Sequence, residues 1–200
     1  MRGLLAESGI VIPQNAERVR QQLPLILEDA ENELTPLTRQ LMPDFYERLV
    51  SLDERLRRCA QRLQQVHQQS PVSRKLETVR GVGPLIATAV LASAGDANDF
   101  NNGRQFAAWL GLVPRQHSSG GKPRLLGITQ RGDKYLRMLL VHGARAVVSQ
   151  ASRRDDRFSQ WIQQVKARRG MNIAVVAVAN KTARVLWALL AREADYRVAA

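Results

Sequence analysis

The chain has 200 residues, 44% of them apolar, one cysteine, and a formal net charge of +12. This composition excludes a disordered polar chain, an intramolecular disulfide framework and an all-cysteine metal site, and it suits a reducing cytoplasm. The charge is asymmetric: residues 1–114 carry 13 Lys and Arg against 13 Asp and Glu, while residues 115–200 carry 17 against 5, as expected of a neutral half joined to a polyanion-binding half.

Residues 1–69 read as a helical linker and coiled coil. Met1 to Ala30 is helical in character, with breaks at Ser8-Gly9 and near Pro13. Phe45, Leu49, Leu52, Leu56, Cys59, Leu63 and Val66 then recur at alternating spacings of four and three, a heptad seam with charged residues on the remaining faces. Leu34, Leu37 and Leu41 extend it upstream, with a bend expected at Pro43. Self-association through residues 45–66 and packing inside the monomer both satisfy such a seam.

Residues 70–96 open on Ser70 as N-cap and Pro71 at the first helical position, and SRKLETVRGVGPLIATAVLASAGD reads as helix, tight GVG turn, helix. Leu76 and Val79 precede the turn; Ile86, Ala87, Val90 and Leu91 follow it. This is a helix-hairpin-helix pattern, in which Gly81 and Gly83 let the backbone approach a phosphate and the early N–H groups of the second helix point at the anion. An ordinary helical corner uses the same residues. Asp96 and Asp99 lie close together but at a helix end and in a loop, a poor pair for metal binding.

Residues 97–200 begin with a short amphipathic helix, GRQFAAWL, ending at Gly111. GLVPRQHSSGGKP then reads as a loop, and Leu125 to Thr129 as one short strand-like run. From the N-cap Asp133 three helices are expected: a buried one over KYLRMLLVHGARAVVSQ, an amphipathic one over RFSQWIQQVKARRG, and a long apolar one over NIAVVAVANKTARVLWALLARE. Its strongest apolar run, Ile173 to Ala179, stops at Asn180-Lys181, so a soluble protein without membrane insertion is expected. The fold class is mainly all-α.

The loop RQHSSGGKPR sets Ser118, Ser119 and two glycines among Arg115, Lys122 and Arg124. A serine hydroxyl needs a base or metal to become a nucleophile, and a phosphodiester under attack needs cations. The loop supplies the cations; a flexible turn fits it as well. His117 reads as a surface side chain contacting phosphate or solvent rather than a proton carrier.

In order along the chain, GVGPLIATAVLASAGD and FAAWLGLVPRQHSSGGKPRLLGITQRGDKYLRMLLVHGARA resemble the C-terminal transposase domain of the bacterial insertion-sequence family conventionally numbered one-ten, particularly its eleven-eleven branch of RNA-bridged recombinases. The resemblance is close over residues 74–190, and RGLLAESGIVIP resembles the start of the segment that joins the family's two domains. It implies that Ser119, directly before Gly120, is the nucleophile, with Ser118 as the alternative. It also implies that Arg131, Gly132, Lys134 and Arg137 match the basic segment that follows. A guide RNA, DNA and oligomeric assembly are the implied partners, and DNA transposition the implied role. The family's metal-binding carboxylates belong to a RuvC-like domain, and no apolar strands ending in acids occur here. The expected protein is therefore the C-terminal part of a transposase, without a metal site and inactive alone, with magnesium needed only by the full-length protein. A stand-alone helix-hairpin-helix DNA-binding protein and an inactive remnant are the competing readings.

Overall fold

A computed structural model describes residues 1–117 and 124–192; Ser118, Ser119 and Lys122 lie outside the described residues. Nine α-helices, two short 3₁₀ turns at Ala97–Asp99 and Ala151–Arg153, and one two-stranded hairpin make up the regular structure there: α1 Arg2–Glu7, α2 Ala16–Glu28, α3 Pro36–Gln69, α4 Pro71–Glu77, α5 Pro84–Ala94, α6 Gly103–Trp109, β1 Pro114–Gln116, β2 Leu125–Ile128, α7 Lys134–Gln150, α8 Arg157–Arg169 and α9 Met171–Ala191. The protein is mainly all-α. The chain divides into two compact units, Met1–Arg62 and Leu63–Ala200.

The first unit closes over a small core of Leu5, Ile12, Val19, Leu23, Leu34 and Met42. Asn15 caps α2 by accepting the Glu17 N–H. Arg39 ties the α2–α3 connection by donating to the carbonyls of Leu27 and Asp29 and to Asn32 Oδ1. Arg20 forks onto the Asp53 carboxylate. Hydrogen bonding to Asp53 raises the Arg20 pKa, and the same bond lowers that of Asp53. Helix α3 runs unbroken through Pro43. The heptad seam takes no part in the core except through Leu49: Phe45, Leu52, Leu56 and Val66 are 40–67% exposed, and Cys59 is exposed.

The second unit has the larger core, to which α4 through α9 all contribute. Its centre is α9, packed against α4, α6, α7 and α8. Ala174, Val175, Val178, Ala179, Ala183, Leu186 and Leu189 bury one face of that helix. By length and composition α9 would span a membrane, but half of that stretch is buried inside the unit, the pattern of a core helix. Caps fix the helix starts: Ser70 Oγ accepts the Ser73 N–H, Asn102 Oδ1 those of Arg104 and Gln105, and Asp133 that of Leu136. Buried His67 bridges α3 to α4, with Nδ1 2.7 Å from Ser73 Oγ and Nε2 2.8 Å from Glu77 Oε2.

The stretch read as a loop up to Pro123 holds a strand. Pro114–Gln116 pairs antiparallel with Leu125–Ile128, with Pro114 opposite Ile128 and Gln116 opposite Leu125. The pairing continues at both ends, where the His117 N–H donates to the Arg124 carbonyl and the Thr129 N–H to that of Val113.

Candidate nucleic-acid interface

The GVG corner between α4 and α5 splits the work of its two glycines. Gly81 has φ +80°, a left-handed conformation that disfavours any side chain. A Cβ there would lie 2.7 Å from Val147 Cγ2 and 2.8 Å from the Gly143 carbonyl oxygen on α7. Its missing side chain thus admits a close packing inside the protein. Gly83 is different: it precedes Pro84 in extended backbone, at the N-cap of α5, and a Cβ there would meet nothing within 4 Å. The backbone at Gly83 is open to an approaching ligand, while Val82 between them is buried.

Arg80 locks this corner to α8. Its Nη1 donates to Asp156 Oδ2 at 2.8 Å and to Ser159 Oγ at 3.3 Å. Asp156 also caps α8 by accepting the N–H groups of Phe158 and Ser159. Desolvation by itself would raise the Asp156 pKa, but the bonds from Arg80 and Ser159 and the Arg80 charge outweigh it and hold the carboxyl down at about 2.

The foot of the hairpin is built from a second pair of glycines. Gly111, φ +69°, follows α6, and a Cβ there would lie 2.1 Å from the Arg131 carbonyl oxygen. At Gly132, φ +87°, a Cβ would lie 1.7 Å from that of Trp109. Neither contact tolerates a side chain, so the QRGD turn ahead of α7 nests against the end of α6. Arg137 closes the nest: its Nη1 donates to the carbonyls of Leu110, at 3.0 Å, and Arg131, at 3.3 Å.

These contacts sort the residues singled out in the sequence. Arg115 on β1, Arg124 just ahead of β2, Arg131 in the turn and Lys134 at the start of α7 are exposed; Arg137 is half-buried and committed through Nη1 to backbone oxygens. The structure brings Arg131, Gly132 and Arg137 together at the hairpin's foot, whereas Gly81 and Gly83 belong to another corner of the same unit. Asp96 accepts the Asn98 N–H at the start of a short 3₁₀ turn that runs to Asp99. Among the described residues no group of three or more His, Cys, Asp or Glu side chains gathers to hold a metal ion. Sequence reasoning missed Gly143 and the Arg80–Asp156 pair, and placed Gly111 only as a helix end. An isolated glycine inside a helical pattern, as in VHGARA, was the available signal for the first.

Residues 73–160, which include the GVG corner, the hairpin and all of α7, match the model of the Transposase IS116/IS110/IS902 family. Over 198 residues the chain is 45% identical to a probable family 20 transposase of Pseudomonas aeruginosa, covering 98% of this chain and 59% of that protein. It is 42% identical over 200 residues to the transposase for insertion sequence element IS1111A of Coxiella burnetii, covering all of this chain and 55% of the relative. The transposase for insertion sequence element IS1328 of Yersinia enterocolitica is 32% identical over 187 residues, 94% of this chain and 55% of its own length. The chain thus spans little more than half the length of these relatives.

Proposed function

From the premise that the chain belongs to the IS116/IS110/IS902 transposase family, we propose that it is the DNA-binding C-terminal part of a transposase and carries a serine nucleophile for DNA cleavage and joining. The observation that supports this most directly is the placement of charge. The whole excess of +12 lies in residues 115–200, and Arg115, Arg124, Arg131 and Lys134 are exposed on and around the hairpin. Such a surface suits a phosphodiester backbone, which is recognised through charge without reading sequence. Open backbone at Gly83 supports a second phosphate contact at the start of α5.

Ser119 is the proposed nucleophile, directly ahead of Gly120, with Ser118 as its alternative. In such a step the hydroxyl oxygen bonds to phosphorus, its proton passes to a base, and the phosphorus–oxygen bond to the departing strand breaks. Among the described residues no group of three or more His, Cys, Asp or Glu side chains gathers, and no step here is assigned to a metal. In the family reading, magnesium belongs to the carboxylates of the RuvC-like domain. Guide RNA and a second copy of the chain are the further partners proposed; the exposed seam of Phe45, Leu52, Leu56 and Val66 supports the latter. The site of action is the cytoplasm.

Binding of duplex DNA of arbitrary sequence by the purified chain tests the reading. Affinity should fall steeply between about 50 and 200 mM salt, with a log–log slope near −0.9 for each phosphate neutralised. Binding that ignores salt would remove the electrostatic basis of the proposal.

A further inference from the structure

The face of α9 turned away from the core floors an open groove of about 1070 Å³. Ile173, Val176, Ala177 and Ala188 line its bottom, and Ile173 is 53% exposed. Four cations border it, Arg104 from α6, Lys181 and Arg184 from α9, and Arg192 just beyond; no Asp or Glu is among its lining residues. All four cations are exposed. Pro114 and Ile128, paired across the hairpin, form part of its wall.

Two tryptophans complete the groove, each held in place and each paired with a cation. Trp161 stacks on Phe158 with centroids 5.7 Å apart and planes 12° from parallel. Lys181 Nζ lies over both rings, 4.8 Å and 4.9 Å from their centroids. Trp187 donates its indole N–H to the carbonyls of Ala97 and Phe100, at 3.0 and 3.2 Å, which fixes the ring; the Arg192 guanidinium stands 5.9 Å from it. Fixed aromatic faces beside exposed cations, over an apolar floor and without acids, match the alternation of base and phosphate along an unpaired strand. A duplex hides its base faces and offers such a floor nothing. From Ile173 to Ala191 the helix rises about 27 Å, enough for a single-strand site of about four or more nucleotides.

We infer that this groove binds single-stranded nucleic acid, with bases against Trp161, Trp187 and the α9 floor and phosphates on Arg104, Lys181, Arg184 and Arg192. The inference rests on the nucleic-acid reading above and adds a second surface, specific for unpaired strands, beside the hairpin's cations.

The test uses the whole chain with fluorescent dT12 and, separately, a 12-base-pair duplex. Binding of dT12 should quench tryptophan emission. Lys181→Ala with Arg184→Ala should weaken dT12 binding tenfold or more and flatten its salt slope by about 1.4, at about 0.7 for each cation removed from a single-strand complex. Trp161→Leu should weaken it at least fivefold and leave the slope unchanged, the signature of stacking. Gly83→Val should lower duplex binding alone. Duplex binding without dT12 binding would overturn the groove and leave the nucleic-acid reading standing; binding of neither would overturn both. Unchanged dT12 affinity in the Lys181/Arg184 variant, with altered sedimentation of the chain, would assign the groove to a protein partner and overturn the inference. Those two side chains are exposed, so their variant folds even where Trp161→Leu does not.

Discussion

Gly81 and Gly143 meet backbone to backbone: a Cβ on Gly143 would stand 2.1 Å from the Gly81 carbonyl oxygen, and one on Gly81 would stand 2.8 Å from that of Gly143. The GVG corner is thereby pressed onto the middle of α7, and no side chain fits between them. Gly143→Ala must push the two backbones apart. Gly81→Ala adds the strain of φ +80°, a conformation costing about 1–3 kcal/mol for residues with a Cβ. Both variants should unfold at clearly lower urea concentration than the parent chain. Gly83→Val, in extended backbone with open space around it, should unfold at the parent's midpoint while binding duplex DNA more weakly. A Gly83→Val chain that binds DNA as well as the parent would take this corner out of the interface; an equally stable Gly143→Ala chain would contradict the packing.

The same corner shows what a sequence discloses. Its helices were legible because Leu76, Val79, Ile86, Ala87 and Val90 follow helical spacing and Ser70 and Pro71 mark a start. The two glycines looked equivalent, since both permit close approach. Only the third dimension tells which one a neighbouring helix uses. Arg137 was legible as a cation in a basic run, but its carbonyl partners, Leu110 and Arg131, are set by the packing of Gly111 and Gly132. The strand at Pro114–Gln116 escaped because it is three residues long, starts with proline and owes its existence to its partner. Helix α9 was recognisable as apolar; that one apolar face floors a groove was not, because composition does not say which residues a neighbour covers.

Asp156 makes stability depend on pH. Its carboxyl is held at about 2 against an ordinary 3.8, so the folded state favours the ionised form. A depressed carboxylate pKa contributes stability that is complete above about 4 and is lost as pH falls from about 4 through about 2. Asp156→Asn keeps an N-cap acceptor but loses the charge facing Arg80. Urea midpoints of the parent and this variant should therefore differ near neutral pH and converge below pH 4. A gap that stays constant down to pH 2 would mean that the Arg80 pairing is unimportant. The pair is about a quarter exposed on each side, so the effect should also shrink in high salt.

The cations around the hairpin should separate by role. Arg131 and Lys134 are exposed, so Arg131→Ala and Lys134→Ala should each flatten the salt slope for duplex DNA by about 0.9 without moving the melting temperature. Arg137 is half-buried and bonded to two carbonyls. Arg137→Ala should leave those oxygens unpaired and lower the melting temperature, whatever it does to DNA. If Arg131→Ala melts early while Arg137→Ala melts normally, the two roles are reversed.

Cleavage chemistry gives the most demanding prediction. The chain supplies a hydroxyl at Ser119 and cations on both sides of it in sequence, Arg115, Lys122 and Arg124, but among its described residues no group of three or more potential metal ligands gathers. A serine oxygen is a weak nucleophile at neutral pH without help from a base or metal. The isolated chain should therefore bind DNA without cutting it. Supplying a RuvC-like domain from a related transposase, that transposase's guide RNA and magnesium should produce a covalent protein–DNA adduct, visible as a band that survives denaturation. Ser119→Ala should abolish that band and leave DNA binding unchanged, because removing one hydroxyl takes no charge from the interface; Ser118→Ala should reduce it less. A band lost in Ser118→Ala but kept in Ser119→Ala would shift the nucleophile by one residue. If no reconstituted mixture gives an adduct although DNA binding persists, the chain is a DNA-binding protein without the serine chemistry.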